Sequence, residues 1–142
     1  MCFQHEQHFC CYHLKTDVHF FVMEYNLCFP NQDHCKQLHY QSKGNWSDNF
    51  NNYGKFKCKG SLLINESGKR SDKELVLCEL EDVNGEYMWN IPKRSDSEWE
   101  AGVGKSTIVS ATKKYEKLIG KTCVYAVSYY KDTFHTKTKC KN

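Results

Sequence analysis

Glu74-Leu75-Val76-Leu77-Cys78-Glu79-Leu80, followed by Asp82-Val83-Asn84-Gly85 and then Glu86-Tyr87-Met88-Trp89-Asn90-Ile91, is the stretch that decides the fold. Its first part alternates, with Leu75, Leu77 and Glu79 on one face and Val76, Cys78 and Leu80 on the other. A period of two is the mark of a strand. The Asn84-Gly85 step supplies two residues that tolerate positive φ, the requirement of a tight hairpin turn. A second strand centred on Trp89 then returns beside the first. The stretch is an antiparallel hairpin.

Working outward, residues 55–64 read as a strand closed by the turn Asn65-Glu66-Ser67-Gly68. Residues 121–130 form another strand, Lys131-Asp132 a turn, and residues 134–140 a short final strand. Residues 93–100 are a polar connection. Ile108, Ala111, Tyr115 and Leu118 recur at helical spacing, with Ser106 or Thr107 to begin and Gly120 to stop one short helix. Upstream the character differs. Residues 1–54 hold six of the seven histidines and five of the nine cysteines. Within them residues 17–29 read as a strand and residues 31–53 as a loop. The division expected is a Cys/His-rich N-terminal segment, 1–54, and a β domain, 55–142.

A formal charge of +3 with interspersed signs lacks the basic stripe of a nucleic-acid binder. No apolar run approaches the roughly 18 residues of a transmembrane segment. Nine cysteines without a Cys-x-x-Cys pair read as a disulfide framework and an oxidising compartment, hence a secreted or cell-surface protein. Residues 1–22 contain no apolar signal-peptide core, so the native start is expected to lie elsewhere. The sequons Asn45-Trp46-Ser47 and Asn65-Glu66-Ser67 mark Asn45 and Asn65 as glycosylation sites.

Two motifs suggest chemistry. Gly102-Val103-Gly104-Lys105-Ser106-Thr107 resembles a phosphate-binding loop, but position 99 is Trp where the leading glycine belongs, and residues 94–100 offer no buried strand. Nucleotide binding through residues 102–107 is therefore the least favoured function. His5, His8, Cys10, Cys11 and His13 are crowded metal-ligand types without paired ligand spacing, so no metal is expected. No nucleophile motif appears, and neither enzymatic activity nor a cofactor is expected.

Trp89 follows Cys78 by 11 residues and Cys123 follows it by 45, among short turn-bounded strands. This arrangement resembles the immunoglobulin superfamily. The resemblance implies a disulfide-stabilised antiparallel sandwich, with a Cys78–Cys123 bridge spanning sheets about 10 Å apart and Trp89 packed on it. Over about residues 55–142, which the resemblance covers, it also implies a second bridge between Cys58 and Cys140; Cys28 and Cys35 are expected as further cysteines of the disulfide framework. Lys121 stands where the family has tyrosine. A bridged Cys123 would turn Tyr125, Val127 and Tyr129 inward and Val124, Ala126, Ser128 and Tyr130 outward.

The function implied is a protein-binding or adhesion module, its surface formed by Tyr130, Lys131, Asp132, Thr133 and Phe134. The alternative is a lipid ligand. Asn52-Tyr53-Gly54-Lys55-Phe56-Lys57-Cys58 with Leu75-Val76-Leu77-Cys78 looks like the late hairpin of lipid-recognition sandwiches of the ganglioside-activator type, which need an internal cavity.

Overall fold

The computed structural model of the chain describes residues 14–17, 20–26, 36–64, 75–94, 102–130 and 133–141, with side chains from His39 onward except at 64, 129, 130 and 133. Among the described residues nine strands follow in order: β1 (Leu14–Asp17), β2 (Phe20–Asn26), β3 (Lys36–Asp48), β4 (Tyr53–Ile64), β5 (Leu75–Asp82), β6 (Tyr87–Arg94), β7 (Gly102–Ala111), β8 (Thr122–Tyr130) and β9 (Thr133–Lys139). A 3-10 helix, Lys113–Leu118, joins β7 to β8. Each strand pairs with the next in antiparallel fashion, and β3 also pairs with β9 in parallel.

That last pairing changes the architecture. The chain is mostly β, as expected, but the sheet closes into a seven-strand barrel, β3 to β9, and not a sandwich. The β1–β2 hairpin lies outside the ring. It pairs with β3 over Lys36 to Ser42, whereas β9 pairs with β3 over Asn45 to Asp48. Gly44 stands at the changeover. A Cβ there would collide with the Phe134 carbonyl and with the Phe56 and Phe134 rings, so its bareness lets β9 reach β3.

The strand β3 lies where a loop was expected, within 31–53. Asn, Ser and Gly obscured its alternation, because the barrel interior accepts Ser42, Gly44 and Asp48 as well as Trp46. Residues 102–107, which resemble a phosphate-binding loop in sequence, are likewise part of a strand. The helical period from Ile108 is half right: Ile108 is buried by strand alternation, and only Tyr115 and Leu118 belong to the helix. In a 3-10 helix, residues three apart eclipse one another, so both drop into the same end of the barrel.

Among the described residues the disulfides are Cys58–Cys78 and Cys123–Cys140. The four cysteines are bridged, but the expected pairs, Cys78–Cys123 and Cys58–Cys140, are not formed. Cys58 and Cys78 are register partners on β4 and β5, and Cys123 and Cys140 extend the Val124–Lys139 register of β8 and β9. Inward side chains on adjacent strands lie within reach of each other, so each bridge crosses one ladder and no second sheet is needed. Cys28 and Cys35 lie outside the described residues. Trp89 packs on neither of these bridges: it faces outward, stacks on Tyr87 at 5.7 Å and donates from Nε1 to Glu79 at 3.0 Å. Of the two described tryptophans, Trp46 is the buried one.

Candidate functional site: the barrel lumen

One end of the barrel is sealed. Trp46, Tyr115 and Leu118 are each no more than 2% exposed there, and the Trp46 and Tyr115 rings meet edge-on with centroids 6.4 Å apart. The Trp46 Nε1 donates to the Glu81 carbonyl at 3.2 Å. Asp82 organises the seal. Its Oδ1 accepts from the amides of Asn84 (2.8 Å) and Glu86 (3.0 Å), holding the β5–β6 turn. Its Oδ2 accepts from Lys114 Nζ at 2.9 Å and Tyr115 Oη at 2.8 Å, holding the helix. Burial alone would raise the Asp82 carboxyl, but the hydrogen bonds from Lys114, Glu86, Tyr115 and Asn84 outweigh it and hold the pKa well below the carboxylate range. Burial, then the hydrogen bond to Asp82, pushes the Tyr115 hydroxyl well above its ordinary value.

Asp48 has the matching task in the β3–β4 turn, where Oδ1 accepts from the amides of Phe50 at 2.8 Å and Asn52 at 2.9 Å. Asn49 ties that turn to Cys140, accepting from its amide at 2.9 Å and donating to its carbonyl at 3.2 Å. The sealed end is therefore cross-linked by side chains from β3, the β3–β4 turn, β5 and the helix.

Above the seal lies a cavity of about 90 Å³. Its apolar wall includes Phe56, Leu62, Val76 and Phe134, and the Phe56 and Phe134 rings stand 5.2 Å apart. Its polar groups are Tyr40, Ser42, Asn90, Arg94, Ser106 and Tyr125, with Thr136 and Thr138 on β9. Ser42 is 3% exposed, and its hydroxyl has no hydrogen-bond partner among the described residues. Arg94 ends β6, and its guanidinium lies against Gly102 at the start of β7; a Cβ at Gly102 would overlap Nη2. These groups provide a walled chamber with hydrogen-bonding capacity.

Of the expected surface site, only the Phe134 side chain is among those described. Tyr130 and Thr133 are register partners at the β8–β9 hairpin, but their side chains, and Lys131 and Asp132 entirely, lie outside the described residues. Phe134 is 6% exposed and faces the lumen, so it is not part of an exposed tip. Along β8 the alternation is as read: Cys123 and Tyr125 are buried, while Thr122, Val124, Ala126 and Ser128 are exposed. Asn45 is exposed on β3, opposite Lys55 and His135, and Asn65 lies outside the described residues.

In residues 102–107, Gly104 and Ser106 face inward, Val103, Lys105 and Thr107 face outward, and the ladders to β6 and β8 engage the backbone. No converging amides form a phosphate cradle. The cluster from His5 to His13 lies outside the described residues, and among those described no group of three His, Cys, Asp or Glu side chains could hold a metal ion. Sequence reasoning missed Ser42, Trp46, Asp82, Arg94 and Tyr115. The signal available for β3 was parity: Tyr40, Ser42, Gly44, Trp46 and Asp48 share one face. No helix is long and apolar enough to cross a membrane among the described residues. No protein-family model, curated protein or solved structure matches the chain.

Proposed function

We propose that the chain is an extracellular binding protein that holds a small molecule in its barrel. The observation that carries this reading is the walled cavity above a cross-linked seal, faced by the Ser42 hydroxyl, which has no partner among the described residues. Small barrels either fill their interior with side chains or enclose one ligand. A void lined by polar groups favours the second use. The disulfides Cys58–Cys78 and Cys123–Cys140 fit an oxidising compartment. The exposed Asn45 leaves its sequon open to glycosylation, testable by a mass shift on endoglycosidase treatment. The reading assigns no reaction.

Native mass spectrometry of the purified protein, with ligand-observed NMR titration of ring-sized probes, tests it. A Val76→Phe variant that fills the lumen should abolish binding while keeping the native circular dichroism. Probe binding that is non-saturable, or unchanged in Val76→Phe, overturns the carrier reading.

A second reading, protein binding, is favoured by Leu75 and Leu77, which are 62% and 46% exposed beside each other on the outer face of β5. Leu75→Ser with Leu77→Ser would then weaken partner capture and leave probe binding intact.

A further inference from the structure

Resting on the carrier reading, we infer that the lumen takes a compact, uncharged carbonyl compound, its oxygen accepting a hydrogen bond from Ser42 and its apolar body lying among Phe56, Leu62, Val76 and Phe134. The first reason is where the space lies. Ser42, Cys58, Cys78 and Asn90 follow one row of register partners across β3 to β6, and all four line the cavity. A ring of about eight strands is just wide enough for ordinary side chains to fill it. Three small side chains in succession, Ser42, Cys58 and Cys78, leave part of this one unfilled. The Cys58–Cys78 bridge removes two S–H groups, so the hydrogen-bonding side chains of the row are Ser42 and Asn90.

The second reason is the Ser42 hydroxyl. Ser42 is 3% exposed, and its Oγ has no hydrogen-bond partner among the described residues. A buried donor left unused is unfavourable, and a ligand oxygen that accepts its proton removes the penalty. A carbonyl brings two lone pairs and no proton of its own, so it adds no further donor to satisfy inside a small chamber. An alcohol or an amide would add one. The Asn90 amide, in the same row, can donate to the same oxygen.

The third reason is charge and size. Among the described lining residues none is aspartate, glutamate or lysine. Arg94 has an interaction of its own, as have Tyr40 and Tyr125, and none of the three is assigned to the ligand. An ion moved from water to a wall of hydroxyls and one amide loses more hydration than those groups restore. The volume, about 90 Å³, is below the roughly 150 Å³ of a cavity that admits benzene. The apolar body is therefore a small ring or a short branched chain.

The test titrates the intact, oxidised chain with cyclopentanone, methylenecyclopentane and isobutyrate by ligand-observed NMR. Methylenecyclopentane keeps the shape of the ketone with a CH2 group in place of its oxygen. Ser42→Ala should weaken cyclopentanone about three- to tenfold, the worth of one neutral hydrogen bond, and leave methylenecyclopentane unchanged or tighter. Isobutyrate should bind the native chain at least about tenfold more weakly than cyclopentanone. The melting temperature of the unliganded Ser42→Ala chain should be unchanged or raised, because the hydroxyl gives up no bond. A lower value, or failure to fold, would show that the hydroxyl is already bonded and would overturn its assignment to a ligand. Cyclopentanone affinity that survives in Ser42→Ala, or falls together with that of methylenecyclopentane, would overturn the seat and leave the carrier reading standing. Isobutyrate binding as tightly as cyclopentanone would overturn the uncharged class. Failure of all three probes to bind would overturn the carrier reading and this inference with it.

Discussion

Tyr115 Oη donates to Asp82 Oδ2 at 2.8 Å, joining the 3-10 helix to the last residue of β5 at the sealed end of the barrel. Burial and the surrounding hydrogen bonds, this one among them, shift the ionisation of both groups. The Asp82 carboxyl is held low, so its contribution is present above the unfolded carboxylate value and is lost as pH falls below about 4. The Tyr115 hydroxyl is held high, so its contribution is present below the unfolded phenol value and is lost as pH rises above about 10. Urea unfolding across pH should therefore show a plateau with losses at both ends. Asp82→Asn should flatten the acid side and Tyr115→Phe the alkaline side. At neutral pH Tyr115→Phe should destabilise by about 1.5–3 kcal/mol, since it removes a hydrogen bond to a charged group. An unchanged alkaline limb in that variant would remove Tyr115 as its cause.

The seam between β3 and β9 depends on Gly44. Gly44→Ala places a Cβ against the Phe134 carbonyl, a backbone atom that cannot swing aside. The expected cost is about 1–3 kcal/mol, measured by chemical unfolding, with faster amide exchange at residues 45–48 and 135–138. Native-like exchange there would show that closure does not need the glycine.

Non-reducing peptide mapping should recover Cys58 linked to Cys78 and Cys123 linked to Cys140. Replacing either pair with alanine should lower stability by about 3 kcal/mol, through release of a short loop in the unfolded chain. A peptide joining Cys78 to Cys123 would refute the in-sheet pairing.

Lys105 is exposed on the outer face of β7, opposite Lys93 and Val124 in the ladders. Lys105→Ala should leave stability within about 0.5 kcal/mol and probe binding unchanged. Saturable ATP binding that disappears in the variant would reinstate the phosphate reading of residues 102–107.

The sequence by itself determined strands and their faces wherever one face is apolar. In β5, Val76, Cys78 and Leu80 are buried and Leu75 and Leu77 exposed, as the alternation requires. Along β8, Cys123 and Tyr125 are buried while Val124 and Ala126 are exposed, and Asn84-Gly85 turns β5 into β6 with Gly85 at φ 76°. Which side a residue faces is a local property of a pleated chain. Partners are not. Whether Cys78 meets Cys58 or Cys123 depends on which strands are neighbours, and that depended on a strand, β3, whose inward face is too polar and glycine-rich to read as one. Its inclusion gave β9 an edge to close against and made a barrel where alternation alone allowed a sandwich. Closure also placed Ser42 and Asn90, 48 residues apart in the chain, in the wall of one lumen. Only long-range register creates that relation, because neither residue carries a local pattern that points to the other.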